Sequence, residues 1–223
     1  MPSLLYCVTQ PSPTVSVAAG VSEAAVSSRE LLGVRVYWSD VDNPEAAWGE
    51  PESLKKAALQ FRQVLREILA VTTPIPFHFP TLLESAEVFE QHLALEQESY
   101  RKALERIGNA VQYEIVGTWA DEQQADLATP VSGREYLKRR EEALGRVAAV
   151  ESKLKSVTAD SVREWRARRE RKTHRWFALV PRDDRERFIA SLRGAGASQG
   201  VRLRLSGPWP PSEFVTPRGS LLE

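Results

Sequence analysis

Strict alternation of apolar and polar positions marks the strands. Val201, Leu203 and Leu205 alternate with Arg202, Arg204 and Ser206, the pattern of a half-buried strand. The same two-residue period runs through 31–39, where Val34, Val36 and Trp38 alternate with Arg35 and Tyr37. It recurs through 111–119, with Val111, Tyr113, Ile115 and Trp119 against Gln112, Glu114 and Thr118. A short β-type run covers 4–9 and a weaker one 14–18, with a loop expected over 20–28. Residues 176–180 are apolar at every position, as in a central strand covered on both faces. A helical period starts at Pro51 and puts Leu54, Ala58, Phe61, Leu65 and Ile68 on one face. A short strand over 75–80 precedes a second helix, which Thr81 and Glu84 open at capping-box spacing. Its buried stripe is Phe89, Leu93, Tyr100, Leu104 and Ile107, and Gly108-Asn109 closes it. Ser132 and Glu135 open a third helix with Leu137, Leu144, Val147 and Leu154 inward. Helix continues to about 172, either recapped at Ser161 and Glu164 or as one bent helix. Asp183 and Glu186 open a last short helix that buries Phe188, Ile189 and Leu192 and stops at Gly194 and Gly196.

These elements predict an α+β protein. Residues 1–73 read as a small N-terminal α/β domain. Residues 74–207 read as strand, helix, strand, helical excursion, strand, helix, strand. Without the excursion at about 132–172 the order is βαββαβ, a ferredoxin-like domain with a helical insertion. The last strand ends at Gly207-Pro208 and hands over to Trp209-Pro210-Pro211, with a Pro-rich C-terminal tail over 208–223. Prolines cannot donate to a ladder and favour an extended backbone, so this tail presents Trp209 either to its own domain or to another protein. With the βαββαβ core complete at Gly207, the tail is expected to be dispensable for folding.

Formal net charge is zero, with 30 basic and 30 acidic residues, so a dedicated nucleic-acid binder is not expected. The single cysteine, Cys7, permits no internal disulfide and reads as a core residue on the first strand. No apolar run reaches the roughly 20 residues of a membrane helix, and the opening Met-Pro-Ser-Leu-Leu lacks the basic start of a signal peptide. A cytoplasmic protein without membrane contact is expected. His78, His92 and His174 form no metal-ligand spacing, and no nucleophile elbow or phosphate loop is present. No cofactor, metal or catalytic residue is expected. The basic run Arg163, Arg166, Arg168, Arg169, Arg171, Lys172 and Arg175 reads as a solvated helix face or as a surface for RNA or an acidic partner.

Several segments resemble the GvpL/GvpF family of gas vesicle accessory proteins. Trp38-Ser39-Asp40-Val41 is similar to the segment closing the family's early sheet, and Pro76-Phe77-His78-Phe79-Pro80-Thr81 resembles its Pro-Leu-Arg-Phe-Gly-Thr stretch. Ser132-Gly133-Arg134-Glu135-Tyr136-Leu137 is similar to its Ser-Gly-Arg-x-Tyr-Leu helix start. Leu179-Val180-Pro181 with Phe188, and Leu205-Ser206-Gly207-Pro208-Trp209-Pro210-Pro211 with Phe214-Val215, resemble its last strands and C-terminal signature. The chain departs from the pattern at His78, Pro80, Ser212 and Phe61. The resemblance implies two domains of the kind described above and a role in assembly rather than catalysis. It implies as partners the small, very hydrophobic gas vesicle shell protein and other gas vesicle accessory proteins, with the chain helping to nucleate or grow the shell. The protein-contact candidates are Trp209, Pro210, Pro211, Phe214, Arg166 and Arg169. The rival reading is a ferredoxin-like module that binds RNA or an acidic partner through the surface around Arg163–Arg175.

Overall fold

The structure is a computed structural model that describes residues 1–44, 48–84, 86–119, 132–169, 173–193, 195 and 201–215, side chains 86, 87, 89, 136, 139 and 169 excepted. The expected loop at 121–130, the helix stop at Gly194 and Gly196, and the inward Phe89 lie outside what is described. The chain forms two compact units: Met1–Ala110 together with Trp209–Glu223, and Val111–Pro208. The α+β class read from the pattern is the class observed.

The first unit is built on strands β1 (Ser3–Thr9), β2 (Ser27–Leu31) and β3 (Val34–Asp40), helix α1 (Pro51–Val71), short strands β4 (Ile75–Pro76) and β5 (Leu82–Leu83), and helix α2 (Ala86–Ile107). The sheet order is β2-β3-β1-β4, with β5 also on β1. Every residue of β1 after Ser3 is buried, which requires cover on both faces, and α1 and α2 both pack against it. Phe61, Val64, Leu65 and Ile68 of α1 meet Leu4, Tyr6, Cys7 and Tyr37 in the main core. Leu54, expected inward, is exposed, because the buried face of α1 begins at Ala57.

Two tyrosines tie the long stretch before β2 to the sheet. The Val21 N–H donates to Tyr6 Oη at 2.9 Å, Tyr6 Oη donates to Ser39 Oγ at 3.0 Å, and the Val15 N–H donates to Tyr37 Oη at 3.0 Å. These bonds hold the stretch at 14–18, expected as a strand, which joins neither described sheet. A strand absent from the expectation, β2, pairs antiparallel with β3 through a two-residue turn at Leu32-Gly33, both with positive φ. That is hairpin geometry, but Leu in its first position conceals it in the sequence.

The second unit contains β6 (Ala110–Trp119), α3 (Gly133–Val157), β7 (Glu164–Arg169), β8 (His174–Pro181), α4 (Arg185–Leu192) and β9 (Val201–Trp209), except that Ala110 and Trp209 belong to the first unit. The order is βαββαβ and the sheet runs β7-β8-β6-β9, the ferredoxin-like arrangement. The members differ from those expected. The strand at 75–80 is short and pairs with β1 in the other sheet, so the motif begins at β6. The helical insertion at 132–172 is also corrected: α3 is the motif's first helix, and 164–169 is a strand paired antiparallel with β8. Each residue of β7 faces a residue of an almost wholly buried strand, and this ladder overrides the helix propensity of its Glu, Ala and Arg residues.

Of the expected helix starts, Ser132 is seen to cap, its Oγ accepting from the Glu135 N–H. Thr81 instead donates to the His78 carbonyl at 2.6 Å, since Leu82–Leu83 is a strand and α2 starts later. Asp184, not Asp183, stands at the start of α4, after a single 3-10 turn, and makes no side-chain cap bond. Leu154 of α3 is 1% exposed, but Leu137 is 63% exposed, so only the C-terminal half of that helix buries its apolar face.

Candidate protein-contact surfaces

The Trp209 segment belongs to the first unit. β9 extends past the Gly207-Pro208 step to Trp209, beyond the stop read from the sequence. The chain then makes a single 3-10 turn over Ser212–Phe214, closed by the Phe214 N–H donating to the Pro211 carbonyl at 3.0 Å. Phe214 is 1% exposed and Pro211 is buried, so both anchor the segment. Trp209 and Pro210 are half-buried. The Arg62 guanidinium of α1 lies over the Trp209 ring, 5.5 Å from its centroid, a cation–π arrangement. Leu59, one turn before Arg62 on the same helix, is 56% exposed. Trp209, Pro210 and Leu59 thus offer apolar surface fixed by a rigid helix and a buried anchor. Neither Arg62 nor Leu59 carried a signal in the sequence, because each sits among the polar positions of α1.

Arg166 lies on the second unit's sheet rather than on a helix. Directly opposed residues share a face in an antiparallel pair, so Arg166 stands beside Phe177, and Arg168 beside Arg175. Arg175 Nη1 donates to Glu114 Oε1 of β6 at 2.6 Å, and Ser206 Oγ of β9 donates to Glu114 Oε2 at 3.2 Å. Alternation then places Arg202 and Arg204 on this face with Ser206. At its described positions the face carries Arg166, Arg168, Arg175, Arg202 and Arg204 against Glu114 and Glu164. Arg168, Arg202 and Arg204 are exposed, and Glu164 pairs with Arg166 at 3.2 Å. The Arg169 backbone pairs with His174, and its side chain lies outside the description, as do Arg171 and Lys172.

The opposite face of this sheet holds aromatic rings under the two helices. Tyr113 meets Phe188 of α4 with ring centroids 5.0 Å apart, and Trp176 Nε1 donates to Glu151 of α3 at 3.4 Å.

Among the described residues no group of His, Cys, Asp and Glu is arranged to hold a metal ion. Burial pushes the Cys7 thiol well up, as suits a core residue. His92 contacts Tyr100, and burial lowers its pKa. A depression of about 400 Å³ is lined by Ser22, Ala24, Ser27, Asp40 and Asp42. No described helix is long and apolar enough to cross a membrane.

Two solved structures share this fold. The gas vesicle protein GvpF from Anabaena sp. PCC7120 matches with a TM-score of 0.77 at 14% identity, over 98% of this chain and 97% of that one. GvpF from Microcystis aeruginosa matches with a TM-score of 0.74 at 14% identity, over 96% and 99%. No curated protein sequence matches. The family model described as gas vesicle synthesis protein GvpL/GvpF matches residues 3–216. The chain therefore belongs to the GvpL/GvpF family of gas vesicle proteins.

Proposed function

We propose that this protein is an assembly accessory that binds the small hydrophobic gas vesicle shell protein and helps to nucleate or grow the shell, alongside other accessory proteins. The observation that carries this reading is the family match over residues 3–216. A shell subunit with a large apolar surface aggregates unless a partner covers it during assembly. On this reading Trp209, Pro210 and Leu59 make the apolar contact, Pro211 and Phe214 hold the segment in place, and Arg166 with Arg169 belongs to a separate, charged contact. The role is one of binding, in the cytoplasm and at the growing gas vesicle, and not of catalysis.

The test is co-expression with the host's small shell protein and a pull-down at low and high salt. Retention at high salt is expected, since an apolar contact is not screened. Trp209→Ala is expected to lose retention while keeping the melting temperature of the parent chain. A shell protein that is not retained at either salt sinks the proposal. A Trp209→Ala chain that melts far lower assigns the ring to the fold instead.

A further inference from the structure

We propose that the solvent face of α1, beside Trp209 and Pro210, docks an amphipathic helix of another polypeptide whose apolar stripe is bordered by carboxylates. The inference rests on reading the Trp209 segment as a protein contact, and it names the chemistry of what binds there without depending on which protein supplies it.

Lys55, Leu59, Arg62 and Arg66 fall at i, i+4, i+7 and i+11 of α1, one line along the helix. All four are exposed, as are Lys56 and Gln63 beside them, and Leu59 keeps 56% of its surface in solvent. Phe61, Val64, Leu65 and Ile68 take the other side of the helix into the core. Among the described residues no carboxylate pairs with Lys55, Lys56, Arg62 or Arg66. Arg66 donates to the neutral Gln63 side chain at 3.3 Å, and Arg62 lies over the Trp209 ring, so neither charge is neutralised. Glu52, the acidic residue of the first turn, sits where the helix dipole favours it. The other long helix of this unit is arranged differently: on α2, Arg101 pairs with Glu98 and Glu105, and Lys102 with Glu98. Arg62 and Arg66, one turn apart with like charge, cost α1 stability that an anionic neighbour restores.

Along the helix axis Arg62 stands about 10.5 Å from Lys55 and about 6 Å from Arg66. Carboxylates at i, i+7 and i+11 of a second helix reproduce those intervals, and an apolar residue between the first two meets Leu59 and Trp209. Two other anionic classes fit less well. Single-stranded RNA stacks bases on aromatic faces, and here the Arg62 guanidinium already lies over the Trp209 ring. A helix that lies in a bilayer surface inserts its apolar face, and the apolar face of α1 is in the core.

The test uses the full chain and four labelled probes: a helical peptide with leucine between glutamates at i, i+7 and i+11, its lysine counterpart, poly-uridine RNA, and phosphatidylglycerol vesicles. The glutamate peptide is expected to bind at least about tenfold more tightly than the lysine peptide. Lys55→Glu with Arg66→Glu is expected to weaken the glutamate peptide by about tenfold or more at low salt, and by less at high salt, where charge is screened. Trp209→Ala is expected to weaken it at both salts. Arg134→Glu with Arg140→Glu, the same change in charge on exposed positions of α3, is expected to leave binding within about twofold. If the first pair of reversals perturbs folding by circular dichroism, Lys55→Gln with Arg66→Gln retains the side-chain stems and is expected to weaken binding severalfold. Equal losses in both pairs, no preference for glutamate over lysine, or RNA or vesicles held more tightly than the glutamate peptide would overturn the proposal. A chain that retains the shell protein yet shows no such preference loses this inference alone. A chain that prefers the glutamate peptide but does not retain the shell protein keeps it and loses the proposed function.

Discussion

Gly207 has a φ of +133°, and a Cβ built there would meet the Gln112 carbonyl at 2.9 Å and Tyr113 Cδ1 at 2.8 Å. Both the backbone conformation and the space demand glycine, which gives the Ser-Gly-Pro-Trp segment a physical reason. Gly207→Ala is expected to destabilise by about 2 kcal/mol or more, because backbone cannot move aside as a flexible side chain can; a urea midpoint equal to the parent's would refute this. At the same scale, burial and the nearby Glu96 carboxylate push the Tyr100 phenol up to about 12, from an ordinary value of 10.0. Tyr6 and Tyr37 are raised as well, chiefly by burial. A raised phenol favours the folded state fully below the unfolded value, and the contribution is lost as pH rises from about 10 towards 12. Unfolding is therefore expected in that alkaline window, with tyrosinate absorbance rising together with loss of circular dichroism. Tyr100→Phe should flatten the dependence.

The elements divide by how they are held. α3 is capped by Ser132 but packs only through its C-terminal half. Leu154→Ala is expected to cost about 2–5 kcal/mol and Leu137→Gln less than about 0.5 kcal/mol, measured by chemical denaturation. Their sequence period is the same, and the pattern alone placed both inward. Period shows which face a helix can bury, not how far along its length a partner extends. β6, β8 and β9 were legible because alternation or an unbroken apolar run is local information. β2 was hidden behind a Leu-Gly hairpin turn, and β7 behind a charge-rich stretch whose strand state comes from pairing with β8. The basic run was visible as composition. Its placement with Arg202 and Arg204 needed the sheet order, which joins residues distant in the chain. Trp209 was legible as a candidate, but its partner Arg62 was not, for the same reason.

At the scale of the molecule, the C-terminal segment changes the meaning of the domain layout. It was expected to be an appendage beyond a finished core. Phe214 is instead buried within the first unit, and Phe214→Ala is expected to cost about 3–5 kcal/mol. A chain ended after Gly207 should lose the same contact, with a lower melting temperature; an unchanged melt would restore the view of a dispensable tail. The first unit is thus discontinuous in sequence, with roughly 100 residues between Ala110 and the anchoring phenylalanine. On a ribosome adding about 5–20 residues per second, that unit waits about 5–20 s for its last piece. Prematurely terminated chains never receive it. The first unit therefore reaches its finished form only after the segment that carries Phe214 has been synthesised.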